Sequence, residues 1–128
     1  MTIVVGYVPG APGEAAVEQA LVEARRTGSR LVVVNGTRGD AYVDTRFSQG
    51  ADVDRLRSHL EASGVEYEVR QPLGPDVADL ILDVAEEVGA DLIVVGLRRR
   101  TPVGKLILGS TAQRVLLDAA CPVLAVKP

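Results

Sequence analysis

Tryptophan is absent, phenylalanine occurs once, and aromatics make up only 3% of the 128 residues. So sparse a set offers no platform for stacking unpaired bases, which argues against a single-stranded nucleic-acid binder. The net charge is −3, which argues against a protein that holds duplex backbones nonspecifically. Nucleic acid is therefore not an expected partner. Cysteine occurs once, at Cys121, so no internal disulfide can form, and a reducing cytoplasm is the expected setting. His59 is the only histidine, which removes His-based metal sites and most catalytic triads. No apolar run approaches the roughly 18 residues of a membrane span. The N-terminus shows no basic region followed by a hydrophobic stretch, so neither a membrane association nor a signal peptide is expected.

What the chain has in quantity is Val, Leu, Ala and Ile. Hydrophobic residues reach 47%, enough for a real core in one domain spanning residues 1–128. The pattern alternates strand and helix. Ile3-Val-Val5 opens a strand running to about Val8, and Val17, Ala20, Leu21 and Ala24 then fall at helical spacing up to a stop at Gly28. Leu31 to Val34 is a second apolar run, ended by Asn35-Gly36. Val53, Leu56 and Leu60 mark a second helix closed by Gly64, and Val65 to Val69 alternates like a half-exposed edge strand. Pro75 precedes a third helical stripe, Val77, Leu80, Ile81 and Val84, closed by Gly89. Asp91 to Val95 and Pro122 to Val126 are the last strands, with a fourth helix between them.

Such βαβαβαβαβ order predicts an α/β fold, an open parallel sheet with helices on both faces. The unbroken runs at Val32 to Val34 and Leu92 to Val94 predict inner strands. Gly36 to Gly50, with Tyr42 and Phe47, reads as one long irregular segment, either a lid or a mobile loop.

The chemistry concentrates between Gly96 and Thr111. This loop follows a strand, precedes a helix, and carries Arg98, Arg99, Arg100 and Lys105 without an acid as far as Lys105. A basic, glycine-punctuated loop feeding a helix N-terminus suggests an anionic ligand. Ser110-Thr-Ala-Gln113 reads as a capping box, with Ser110 either a plain helix cap or part of an anion site. Two phosphate motifs fail. Gly104-Lys105 has Arg99 where a P-loop needs its first glycine and Leu106 after the lysine, and Gly6, Gly10 and Gly13 have the wrong spacing for a dinucleotide fingerprint. His59, between Leu56 and Leu60, reads as a helix-surface residue without a visible partner, and Cys121 as a buried structural thiol. A receiver domain would need acids after the first strand, where Tyr7-Val8-Pro9 stands. A flavin site would want hydroxyls in the first loop, and Pro9 to Gly13 has none.

Gly96, two residues, position 99, nine residues, then Gly109-Ser110 resembles the G-x2-G-x9-G-S/T signature of the universal stress protein family. The strand Asp91 to Gly96, the closing Cys121-Pro-Val-Leu-Ala-Val126, the element order and the length agree with it. The resemblance implies five parallel strands in the order 3-2-1-4-5 and a ligand crevice where the first and fourth strands diverge. It implies ATP, AMP or ADP as ligand, with or without Mg. Gly96, Gly109, Ser110 and Thr111 would hold ribose and phosphates. Tyr7, Val8, Pro9 and Val34 would border the adenine. It further implies a homodimer through the C-terminal strand and a regulatory or stress-tolerance role, any ATP hydrolysis being slow because no general base or metal cluster is visible.

Two positions depart from the family pattern. Arg99 replaces the second signature glycine, and with Arg98 it either obstructs the phosphate path or supplies a phosphate contact. The first strand also ends without the aspartate that nucleotide-binding members use, in Tyr7-Val8-Pro9-Gly10. The alternative is therefore a nucleotide-free, dimeric interaction protein of the same family with a degenerate site.

Overall fold

The computed structural model describes residues 1–36, 43–97 and 108–128, and of residues 43–49 the backbone alone. Five strands and four helices alternate: β1 (Thr2–Gly6), α1 (Ala11–Thr27), β2 (Arg30–Val34), α2 (Val43–Ser63), β3 (Tyr67–Arg70), α3 (Val77–Val88), β4 (Leu92–Gly96), α4 (Ser110–Asp118) and β5 (Val123–Val126). The strands form one parallel sheet in the order β3-β2-β1-β4-β5. Val4 lies between Val32 of β2 and Ile93 of β4, so the unbroken Val and Ile runs form the interior of the sheet. β3 and β5 are the edges, and all their residues are only half-buried.

Each sheet face carries its own core, as the period-2 alternation of a strand requires. On one face Ile3, Val5, Leu31 and Val33 meet Val17, Leu21 and Ala24 of α1 and Leu56 and Leu60 of α2. On the other, Val4, Val32, Ile93 and Val95 meet Ile81 and Val84 of α3 and Val115 of α4. Fully burying each large aliphatic side chain contributes about 1.5–3 kcal/mol, so these two layers carry most of the fold. Gly28 and Gly89 close α1 and α3 at φ 66° and 64°, a left-handed turn that a side chain would oppose.

Two boundaries and the burial of one residue differ from the sequence reading. The segment 36–50 was expected to be irregular, yet α2 begins at Val43 and runs through Gly50. Its hydrophobic stripe starts only at Val53, so the first turns carry no periodicity to read, and Gly50 lowers helix propensity by about 1 kcal/mol. Tyr42 and the side chain of Phe47 lie outside the described residues. β1 stops at Gly6 rather than Val8, although the Tyr7 amide still donates to the Val34 carbonyl at 2.9 Å. Cys121 is half-buried at the margin of the second core rather than enclosed in it. Burial, then the nearby Asp91 carboxylate, pushes its thiol pKa up, so it stays protonated at neutral pH.

Candidate functional site

β1 leads through α1 toward β2, on one side, while β4 leads through α4 toward β5, on the other. The chain ends leaving these two strands diverge, and a crevice of about 340 Å³ opens between them. Open parallel sheets form ligand sites at such switch points. Its walls are the backbone turn from Gly6 to Pro9, the first turn of α1 at Pro12 and Gly13, Val77 and Ile81 of α3, Val95 and Gly96 of β4, and Gly109, Thr111 and Ala112 at the start of α4.

Two glycines shape this crevice by letting backbones touch. A Cβ on Gly13 would lie 1.9 Å from the Val8 carbonyl oxygen, and one on Gly96 would lie 2.1 Å from that of Pro12. Any side chain at either position would push the first turn of α1 off the ends of β1 and β4. Gly96 thus has a packing role that its place in the signature does not reveal.

The far wall is the N-terminus of α4. Gly109, not Ser110, is the N-cap: its carbonyl accepts from Gln113 N at 3.0 Å, and no side chain caps the helix. The expected capping box therefore does not form. Ser110 is already helical, and its side chain is exposed. The first amides of an α-helix lack intrahelical partners and stand at the positive end of its dipole, so this uncapped turn suits an anion.

α4 is held against α3 by Arg114. Its Nη1 donates to Asp76 Oδ2 at 2.8 Å and its Nε to Asp118 Oδ2 at 3.1 Å, and its Nη2 pairs with Asp79. Asp76 also caps α3, accepting from Ala78 N at 2.9 Å. These contacts fix the two helix starts that flank the crevice.

The turn after β1 is fixed by a buried side chain that the sequence reading took for a simple turn residue. Asn35 Nδ2 donates to the Tyr7 carbonyl at 2.9 Å, and Asn35 Oδ1 accepts from Gln71 Nε2 at 3.3 Å. The ends of β1, β2 and β3 are tied together in this way.

The sequence-predicted residues separate into three groups. Tyr7, Val8, Pro9, Gly96, Gly109 and Thr111 all border the crevice. Tyr7 does so through its backbone, because its ring packs into the α1–α2 core on the opposite sheet face. Val34 and Ser110 are not in the walls: Val34 is enclosed in the α3–α4 core, and Ser110 faces solvent. Arg98 and Arg99 lie outside the described residues. Sequence reasoning missed Pro12, Gly13, Val77, Ile81 and Ala112 as crevice residues. Val77 and Ile81 were legible as a helical stripe, but only the sheet order shows that this stripe reaches the β1–β4 divide.

His59 is on the exposed face of α2, as expected, and it has a partner after all, the Glu18 carboxylate of α1. Among the described residues no group of three His, Cys, Asp or Glu side chains could hold a metal ion, and no helix is long and apolar enough to cross a membrane.

Comparison with known proteins agrees with this architecture. The model of the universal stress protein family matches residues 1–127. A universal stress protein of Mycolicibacterium smegmatis is 51% identical over 98% of this chain and 97% of its own length. The solved structure of a universal stress protein from Archaeoglobus fulgidus superposes with a TM-score of 0.86 at 34% identity, covering 99% of this chain and 98% of the other. A structure from the same organism, solved in complex with dAMP, gives 0.81 at 29% identity over 99% and 98% of the two chains. With its five parallel strands in the order 3-2-1-4-5 and a family match over nearly its whole length, the chain belongs to the universal stress protein family.

Proposed function

We propose that the protein binds an adenine nucleotide, ATP or its products ADP and AMP, in the β1–β4 crevice. On this reading it works as a regulatory or stress-tolerance factor rather than as an enzyme. The observation that carries the reading is the uncapped N-terminus of α4 opening on a crevice at the switch point. Gly109 brings no side chain to compete with a phosphate for the first-turn amides, and the Thr111 side chain stands beside them. Val77, Ile81 and Val95 supply an apolar wall suited to a base or ribose face. The dAMP complex of the relative from Archaeoglobus fulgidus supports the same ligand class. A Mg ion, if it accompanies the nucleotide, would be held mainly by the phosphates.

The test is to heat-denature the purified protein and chromatograph the supernatant for nucleotide, then titrate the ligand-free protein with ATP, AMP and adenosine by calorimetry. Near-stoichiometric nucleotide, or ATP binding more tightly than adenosine, is expected. The absence of both overturns the reading.

A second reading, a nucleotide-free interaction protein that dimerises through β5, is favoured by one observation. The exposed residues at the mouth of the crevice are Val8 and Pro9, and neither offers a carboxylate to a base.

A further inference from the structure

Given the nucleotide reading of the β1–β4 crevice, on which this inference rests, we propose that Arg114 is a positioning residue for the phosphate. Its guanidinium ties the start of α4 to the start of α3 and so sets where the first-turn amides of α4 stand. Among the described residues, neither Arg114 nor its partners Asp76, Asp79 and Asp118 line the crevice, so the effect is exerted through the two helices.

α4 needs such a tie more than α1 or α3 does. α1 buries six residues and α3 four, whereas α4 buries only Ala112 and Val115. No side chain caps its N-terminus. Two small or medium side chains hold the helix onto the second core but do little to fix the direction in which its first turn points. That first turn is the part that meets the crevice, through Gly109, Thr111 and Ala112.

Arg114 lies one helical turn beyond Thr111, on the same side of α4. Its three guanidinium nitrogens divide among three carboxylates. Nε donates to Asp118 Oδ2 at 3.1 Å, within α4 itself, which directs the two terminal nitrogens toward α3. Nη1 donates to Asp76 Oδ2 at 2.8 Å, and Nη2 donates to Asp79. Asp76 is also the N-cap of α3, and the residue after it, Val77, borders the crevice too. One planar group therefore holds the two helix starts that flank the ligand space. The bridge requires arginine, because a lysine offers a single nitrogen and cannot span the same carboxylates. All three ion pairs are exposed, so they contribute little to global stability. Their consequence is placement.

The test measures AMP and adenosine affinity by calorimetry in the parent protein and three variants, and reads the orientation of α4 in the ligand-free protein from residual dipolar couplings of its amides. Arg114→Met should turn α4 relative to β1 and β4 while ligand-free Tm changes little. It should weaken AMP about tenfold, comparable to losing one charge-assisted contact, and leave adenosine within about twofold. Asp79→Ala separates position from charge. Removing a carboxylate would by charge alone tighten AMP, whereas loosening the bridge weakens it, and weaker binding is expected. Arg114→Lys keeps the charge without the bridge and should stay close to Arg114→Met. Unchanged or tighter AMP binding in Asp79→Ala, parent-like affinity in Arg114→Lys, or unchanged α4 couplings in Arg114→Met would each overturn the proposal. No binding of AMP or ATP by the parent protein overturns the nucleotide reading and the phosphate role with it. That outcome is distinct from failure of the bridge, which the ligand-free couplings read directly.

Discussion

Asn35 shows how much one buried polar side chain can organise. It is 4% exposed and bonds both to the Tyr7 carbonyl and to Gln71. Replacing it with Ala would leave a buried carbonyl unsatisfied, which costs about 1–3 kcal/mol. Asn35→Ala should therefore lower the urea midpoint by that equivalent and also weaken nucleotide binding, because the Tyr7–Pro9 turn loses its tie. A mutant as stable as the parent protein would show that water replaces the amide. Gly109 gives a sharper test. It is the N-cap of α4, a position where aspartate is strongly favoured. Gly109→Asp should thus keep or slightly raise Tm while abolishing nucleotide binding, since the carboxylate takes the amides that a phosphate would use. Retained affinity would remove α4 from the site. Tyr7 adds a pH dependence. Burial first, then Asp52 and Glu14, raises its pKa, so the folded state favours the neutral phenol. The associated stability is fully present below the ordinary tyrosine pKa of about 10 and is lost as pH rises through the folded value. Unfolding free energies at about pH 8 and pH 11 should therefore converge in Tyr7→Phe relative to the parent protein.

At the scale of elements, the close seating of α1 on the strand ends is the feature most open to test. Gly13 and Gly96 allow backbone contacts that any Cβ would obstruct at 1.9 and 2.1 Å. The obstructing atoms are main-chain oxygens, not the flexible end of a side chain, so the helix itself must move. Gly96→Ala should cost about 1–3 kcal/mol, the usual range for overpacking, and should do so in the absence of any nucleotide. A signature glycine kept only for ligand approach would behave differently: affinity would fall while the ligand-free Tm stayed constant. Thermal melts with and without AMP separate the two. α4 is the other adjustable element. It has only Ala112 and Val115 buried, and its orientation rests on Arg114 bridging to Asp76 and Asp79 of α3. Those are exposed ion pairs, individually weak and screened by salt. They matter for where the crevice wall stands more than for stability.

At the scale of the molecule, the sheet leaves two edges. β5 presents Val123, Leu124, Ala125 and Val126, all half-buried, with Lys127 the only charge beside it. An apolar edge strand is an open template for pairing, and two copies related by a two-fold axis would close it. Light scattering at micromolar concentration is expected to give a homodimer, and Leu124→Lys to give a monomer. A monomeric parent protein, or a dimer that survives Leu124→Lys, would place the contact elsewhere.

How far the sequence reached follows from what local pattern can encode. Strand and helix identity, the edge character of β3 and the glycine stops at Gly28 and Gly89 were legible because periodicity and left-handed turns are properties of neighbouring residues. The signature from Gly96 to Ser110 was legible as a resemblance, and its residues Gly96 and Gly109 border the β1–β4 crevice. The first turns of α2 were not legible, since a helix without an apolar stripe has no local mark. Nor was the N-cap of α4: Ser110 has the right chemistry and spacing for a cap, but capping depends on which residue adopts the non-helical backbone, and that residue is Gly109. The division of Tyr7, backbone at one cavity and ring in the opposite core, was decided only by the tertiary structure. A residue at the end of a central strand has both sheet faces beside it. Which face takes its side chain depends on strand register and on the helices that α/β winding brings there, contacts between residues tens of positions apart that no local window contains.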